Sequence, residues 1–214
     1  MIFIILKEIL RGKSLLRTLM NLEFKNYKLE GKVLDIGGGK NPSYFKFLQK
    51  LGKVEIINAE LEKGEGRVAI DLEKDNLPFT DSSIDQVLMF NILEHIYNHN
   101  FLTGEVYRVL KPGGQVLGFA PFFINVHPDP HDYFRYTGEA LEKIFKQAGF
   151  EKIKIKEIGR GPAAVNFNNI IFILPRVIRM IIFPFCYLVD WAIIKIRPEI
   201  TKRYPLGYFF VLNK

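Results

Sequence analysis

Two stretches of this 214-residue chain hold residue types that do chemistry. The first is Val33-Leu34-Asp35-Ile36-Gly37-Gly38-Gly39, a β-rich run ending in three glycines. Glycines directly after a strand let a ligand approach the main chain, and a following helix N-terminus offers free N–H groups to a carboxylate or phosphate. A dinucleotide site would need Gly-x-Gly-x-x-Gly; counting from Gly37, the third place is Pro42, so that pattern fails. The second stretch is His127-Pro128-Asp129-Pro130-His131-Asp132-Tyr133-Phe134-Arg135-Tyr136-Thr137, dense polar chemistry on a loop stiffened by proline. His127, His131 and Asp132 are its candidates for a general base acting on an acceptor hydroxyl. Arg135 would orient the acceptor or pair with Asp132. The spacing of His127, His131 and Asp132 matches no recognised metal site, so no metal centre is expected.

The elements around these stretches alternate. Strand-like runs at 32–36, 54–58, 67–70, 84–90, 115–120 and 150–158 are interleaved with helical patterns at 42–51, 101–110 and 138–147, and 208–212 reads as a final strand. Thr137 is the expected cap of the 138–147 helix. Alternation of this kind implies right-handed crossovers and a mostly parallel, doubly wound sheet. The glycine run then lies at the carboxyl end of the first strand, and Asn91 and the 127–137 loop follow the fourth and fifth, the edge where open α/β sheets bind ligands. No internal repeat or low-complexity tract interrupts the pattern.

Here the chain resembles the class I S-adenosylmethionine (SAM)-dependent methyltransferases, especially the small-molecule type 11 group, over roughly residues 30–160 plus the last strand. The resemblance rests on four stretches in order: Asp35-x-Gly37-x-Gly39; Glu60, 21 residues after Gly39; Asp71-Leu72 followed by Leu77-Pro78-Phe79; and Asn91-Ile92-Leu93-Glu94-His95-Ile96, then Glu105-x-x-Arg108-Val109-Leu110-Lys111-Pro112-Gly113-Gly114. Many members have a third glycine where this chain has Asn41. The resemblance implies a Rossmann-like α/β fold: seven strands, mostly parallel, helices on both faces and an antiparallel last strand. It implies SAM as cofactor and S-adenosylhomocysteine as product. The amides of Gly37, Gly38 and Gly39 would take the methionine carboxylate, with Asp35 ordering the loop or meeting the ammonium group. Glu60 would hold the ribose hydroxyls, Asp71 and Leu72 the adenine, and Asn91 would also meet the cofactor. His95, in the family's Glu-His signature, and Tyr133 and Tyr136 would face the acceptor. Asp71 also suits an Asx turn, and Asn91 a plain helix cap. His99 reads as a surface residue.

Composition narrows the acceptor. The net charge of +7 is confined to the ends: residues 1–28 carry +4 and 150–214 carry +7, leaving −4 in the middle. Nucleic acid is not favoured, because the run after the fourth strand is Asn91-Ile92-Leu93-Glu94 and lacks the Pro-Pro-aromatic signature of amino-group nucleic-acid methyltransferases. The single cysteine, Cys186, sits in an apolar run, which excludes a disulfide framework and suits a reducing cytoplasm. The basic ends are also the most apolar. Residues 1–22 read as a basic amphipathic helix, and 165–197 as two helical pieces lying in an interface or packed over the domain, because Arg176, Arg179, Asp190, Lys195, Pro175 and Pro184 interrupt the run. The domain reading is an N-terminal helical segment, 1–28, and a catalytic domain, 29–214, with a helical insertion at about 161–203. Peripheral association with the inner face of an anionic membrane is one use for these surfaces, a homodimer another. The reaction expected is methyl transfer to a hydroxyl of a small or lipid-linked acceptor, such as a glycan, glycolipid or quinol-like compound. An RNA or protein methyltransferase of the same fold and a non-catalytic SAM-binding scaffold are the alternatives.

Overall fold

The computed structural model describes residues 2–39, 42–60 and 67–214. Its strands are β1 (Lys28–Ile36), β2 (Gln49–Glu60), β3 (Arg67–Ala69), β4 (Ile84–Phe90), β5 (Leu110–Pro121), β6 (Lys152–Gly159) and β7 (Pro205–Asn213). They form one sheet in the order β3-β2-β1-β4-β5-β7-β6. Pairing is parallel from β3 across to β5, whereas β7 runs antiparallel to both β5 and β6. This is the expected Rossmann-like sheet with its reversed last strand.

Period-2 side-chain alternation divides the central strands between two cores. Leu34, Ile36, Val87, Met89, Val116 and Phe210 point to one face, and Val33, Leu88, Phe90, Leu117 and Phe209 to the other. The first face is covered by α3 (His99–Val109) and α4 (Gly138–Gln147) through Leu102, Val106, Leu141 and Phe145. Thr137 caps α4, its hydroxyl accepting from the Ala140 amide. The second face is covered by α1 (Ile2–Leu10), α2 (Leu15–Phe24), α5 (Pro162–Ile170) and α6 (Arg176–Ile196); a one-turn α7 (Ile200–Arg203) leads into β7.

Three local expectations change. The 42–51 segment is a short 3-10 turn, Ser43–Phe47, after which the chain is already in β2. The face that a helix there would cover is filled by α2, whose Leu16, Met20 and Phe24 share a core with Tyr44 of the turn. Residues 1–22 make two helices and not one, and both pack on the protein's own domain. Gly12, at φ +86°, breaks them in two, Ser14 caps α2, and Ile5, Ile9, Leu15, Leu16 and Met20 are buried on the protein's own sheet. Removing residues 1–20 would therefore strip a core, not merely detach an anchor. The two helical pieces expected in 165–197 are present as α5 and α6, parted at 171–175, and what changes is that Pro184 lies inside α6 without breaking it.

Two charges that interrupt the apolar sequence of α6 have internal partners. Asp190 is fully buried and accepts from the amides of Ala163 and Ala164 at 3.0 and 2.8 Å, capping α5. The Arg179 Nε donates to the Leu174 carbonyl.

Candidate functional site

The glycine turn is shaped by what it must pass. Gly37 has φ +72°, and a Cβ there would sit 2.6 Å from the Ile92 side chain. A Cβ on Gly38 would lie 2.2 Å from Asp35 Oδ2 and 2.7 Å from the Tyr44 hydroxyl. Gly39, at φ +69°, faces open space. Asp35 is buried at the end of β1 and accepts from the Tyr44 hydroxyl through both oxygens, at 2.7 and 2.8 Å. Its carboxylate thus ties the 3-10 turn to the strand and orders the loop from beneath. Asn58 of β2 donates to the Gly39 carbonyl, and its own Oδ1 is buried with no partner among the described residues.

Beside this turn lies a cleft of about 430 Å³ lined by Gly38, Gly39, Ser43, Lys13, Ser14 and Arg17. A second cleft of about 330 Å³ holds Asn91, His127, Asn125 and Asn168, and shares Ser14, Arg17 and Phe172 with the first. Arg17, on α2, stands between them with its pKa lowered by burial. It is the cation common to the linings of both clefts, with Lys13 beside it in the first. Sequence reasoning assigned it to a membrane-facing helix; no local signal distinguishes it from Lys13 or Arg11.

Asn91 follows β4 in the left-handed region, φ +53°, where Asn is among the better-tolerated side chains. Its amide donates to the Phe119 carbonyl and its Oδ1 is buried without a partner among the described residues, so it is not a helix cap. Asp71 sits in an exposed turn, where Oδ1 accepts from the Glu73 amide at 3.0 Å and Lys74 is 3.2 Å from Oδ2. The Glu73 amide first, and then Lys74, hold its carboxyl below the usual range. Its observed bonds are those of an Asx turn. Leu72 is buried in the core. The backbone of Glu60 ends β2, and its side chain lies outside the described residues.

The 127–137 loop separates into three parts. Asp132 and Arg135 form a two-pronged pair, one prong 2.7 Å, and Arg135 also donates to the carbonyls of Phe134 and Asn125. Arg135 holds Asp132 far below the usual carboxylate pKa. Both charges are spent on the loop itself, and the Asp132 carboxylate also fixes the His127 amide at 2.8 Å. Tyr136 is buried, donating to the Leu93 carbonyl and lying 3.1 Å from His99 Nδ1, so it is a core residue and not part of an acceptor surface. Burial pushes its hydroxyl pKa upward. His99 is half-buried against it, and burial lowers the pKa of its imidazole. His131 and Tyr133 are exposed and pack ring to ring on the outer side of the loop.

His127 alone of these lines the cleft. Its ring meets that of His95 edge to face at 5.1 Å, and the Glu94 carboxylate, 3.6 Å away, raises its pKa against the effect of burial. Glu94 was overlooked as a site residue; the Glu-His pair at 94–95 was its only signal. The other quoted motif, Glu105 to Gly114, proves structural. Arg108 pairs with Glu105 and Asp81 at 2.7 Å each and donates to the carbonyls of Leu77 and Phe79, pinning the 77–81 segment to α3.

Sheet order and glycine turn define the Rossmann-like fold of the class I methyltransferases. Residues 34–118 match a methyltransferase domain, the type 11 family. A probable S-adenosylmethionine-dependent methyltransferase from Mycolicibacterium smegmatis is 31% identical over 91 residues, 38% of this chain and 35% of that one. The ubiquinone/menaquinone biosynthesis C-methyltransferase UbiE of Ruegeria sp. is 24% identical over 180 residues, 63% of this chain and 72% of that one. A SAM-dependent methyltransferase structure from Archaeoglobus fulgidus superposes with a TM-score of 0.58 at 18% identity, covering 92% and 94% of the two chains. Residues 34–118 are thus a methyltransferase domain of the type 11 family set in a class I fold, and its relatives are SAM-dependent enzymes. The chain spans about a third of the length of the M. smegmatis relative.

The residues present fit that cofactor. The glycine turn bares its main chain where side chains would collide, and the adjoining cleft carries Lys13 and Arg17 to complement a carboxylate.

Proposed function

We propose that this protein methylates a hydroxyl of a small, lipid-linked acceptor of the quinol or glycolipid kind, bound in the cleft of Asn91 and His127. The observation that carries the reading is the meeting of the two clefts at Ser14, Arg17 and Phe172. One cleft suits the amino-acid end of the cofactor, and the other opens beside it on the acceptor side. Bound SAM supplies an activated methyl group on a sulfonium. The chain's own part is to hold the acceptor in line with it and keep water out. Gly37, Gly38 and Gly39 bind the carboxylate end with Arg17 near it, and Asp35 fixes the turn. Glu60 takes the ribose, and Asp71 and Leu72 remain the proposed adenine contacts. His127 is placed to receive an acceptor proton; Asp132 and Arg135 position it through its amide.

Two features support a lipid-linked acceptor. Phe172 of the shared wall continues into Ile173, 82% exposed, and the outer face of α6, where Ile181, Phe185, Leu188 and Trp191 are exposed. The UbiE relatives carry quinone-biosynthesis names. α6 is long and apolar enough to cross a membrane by length and composition. Its Asp190, Phe183 and Arg179 are buried against the domain, which favours a helix lying along the surface.

The test is an assay with isotopically labelled SAM and hydroxylated quinols bearing short isoprenoid tails or none. Oxygen methylation with preference for the tailed compounds is expected. Ring-carbon methylation would move the assignment to the UbiE type of reaction, and absence of transfer to any tailed acceptor would reject the proposal. In parallel, Glu60→Ala should weaken SAM binding by about one to two orders of magnitude in calorimetry, as loss of a charge-assisted pair does.

A further inference from the structure

Methyl transfer makes no use of Glu94, yet the chain maintains an unusual setting for it. The residue has no exposed surface, and neither carboxylate oxygen has a hydrogen-bond partner among the described residues. A buried carboxylate is retained where a counter-charge faces it. Here two imidazoles line the place where one would sit: His95 Nε2 lies 3.7 Å and His127 Nε2 3.6 Å from Glu94 Oε1, and the three ligand atoms are all within 4.8 Å of one another. These gaps are too long for hydrogen bonds. They are the gaps an ion spans, since bonds of about 2.0–2.2 Å at tetrahedral angles set neighbouring donors about 3.4 Å apart.

The surroundings orient the donors. His95 Nδ1 bonds to the His131 carbonyl and His127 Nδ1 to the Asn125 carbonyl. A carbonyl can only accept, so His95 Nδ1 carries the proton and its Nε2 presents the lone pair toward Glu94; at His127 the Asn125 carbonyl, 3.1 Å from Nδ1, favours the same tautomer over the more distant Arg135 guanidinium at 3.4 Å. Metal-binding histidines are held in this way by their outer hydrogen bonds. The main chain of Glu94 is fixed too, its carbonyl accepting from the Tyr133 amide at 2.8 Å. The His131 carbonyl thus sets the His95 ring, the Tyr133 amide the Glu94 main chain, and the Asp132 carboxylate the His127 main chain.

We propose that Glu94, His95 and His127 form a binding site for one divalent first-row transition cation. Two imidazoles and one carboxylate suit Zn²⁺, Mn²⁺, Fe²⁺ or Co²⁺ better than Mg²⁺ or Ca²⁺, which prefer all-oxygen shells. Three protein ligands leave further coordination positions, and His127 borders the cleft of Asn91. If the methyltransferase reading holds, on which this last step rests, those positions take an oxygen of the acceptor; with the ion bound, His127 is its ligand and no longer the base, and the cation lowers the acceptor hydroxyl's pKa so that its proton passes to solvent. The expectation of no metal considered His127, His131 and Asp132; those three do not converge, whereas Glu94 and His95 meet His127.

The test is titration of the EDTA-treated full-length protein with Co²⁺, followed by visible d–d absorption, and with Zn²⁺ by calorimetry. One ion per chain is expected. His127→Ala and Glu94→Gln should each weaken binding by about a hundredfold, more than loss of an outer partner does, while His131→Ala keeps its affinity. Circular dichroism and SAM titration of each variant check folding; His127→Ala is only partly buried and serves if Glu94→Gln fails to fold. Absence of Co²⁺ and Zn²⁺ binding by the wild type, or wild-type affinity in His127→Ala, overturns the site, leaving Glu94 and His127 as a bare ion pair. Wild-type protein that binds Co²⁺ but not SAM would support the site and reject the methyltransferase reading, so the two failures are separable.

Discussion

Gly38 shows most directly how one side chain, or its lack, sets the cofactor site. Its hydrogen points at a carboxylate that the Tyr44 hydroxyl already occupies, and a methyl group in its place would lie 2.2 Å from Asp35 Oδ2. Gly38→Ala must therefore displace the bond that ties the glycine turn to the 3-10 turn. SAM affinity should fall by about tenfold or more, the worth of a lost buried hydrogen bond; calorimetric affinity within twofold of wild type would show that the turn yields without cost. The buried acids behave differently. Arg135 and Arg108 hold Asp132 and Glu105 below the ordinary carboxylate pKa. A depressed folded-state value means stability that is fully present above the ordinary range and lost as pH falls toward the folded value. Melting temperature should therefore drop between about pH 5 and pH 3, and Glu105→Gln, already without its pair at neutral pH, should melt lower at pH 7 and change less over that interval. A parallel displacement of the two curves would exclude Glu105 as a source of the acid sensitivity.

At the scale of elements, the cap between α6 and α5 tests how the helical layer is fastened. Asp190 offers both oxygens to the first turn of α5, and a Cβ on Gly161 would meet it at 2.6 Å. Asp190→Ala leaves two amides without acceptors and a small void. A loss of about 2–3 kcal/mol in denaturant unfolding is expected, at the upper end for a helix cap, with Asp190→Asn retaining part of it. A loss below about 0.5 kcal/mol for the alanine variant would mean that water replaces the cap freely. This bond also marks the limit of what was legible in the chain. The strands at 84–90 and 208–212 and the Thr137-capped helix were readable because alternation, aromatic runs and a capping residue are local signals. The Asp35-to-Gly39 turn was readable for the same reason. The role of Asp190 was not, because its partners stand 26 and 27 positions away, and it read as a polar interruption in an interfacial helix. The 42–51 segment failed similarly: its composition suits a helix, but α2, from far upstream, had already taken the face. Glu94 and His95 lie in one segment and His127 in another far along the chain, so their convergence had no signature beyond a Glu-His pair.

At the scale of the molecule, charge and apolar surface fall together on one side. α1 packs against α6, and their outer faces leave Phe3, Ile4, Ile181, Phe185 and Trp191 exposed, with Arg176, Lys195 and Arg197 at the ends of α6. Apolar residues rimmed by cations suit a leaflet with anionic headgroups, where buried apolar area and charge attraction add. A homodimer would bury the same residues but would bring the like charges of two copies together. Flotation with vesicles separates these uses. The full chain should float with vesicles containing phosphatidylglycerol, more weakly with neutral ones, and lose binding as salt screens the charges. Ile181→Glu with Phe185→Glu should abolish flotation while leaving SAM affinity unchanged, because neither residue lines either cleft. If the double variant still floats, the α6 face is not the contact. If the wild type stays in solution as a dimer and the double variant sediments as a monomer, that face is a subunit interface, and the preference for tailed acceptors must then arise inside the cleft at Phe172.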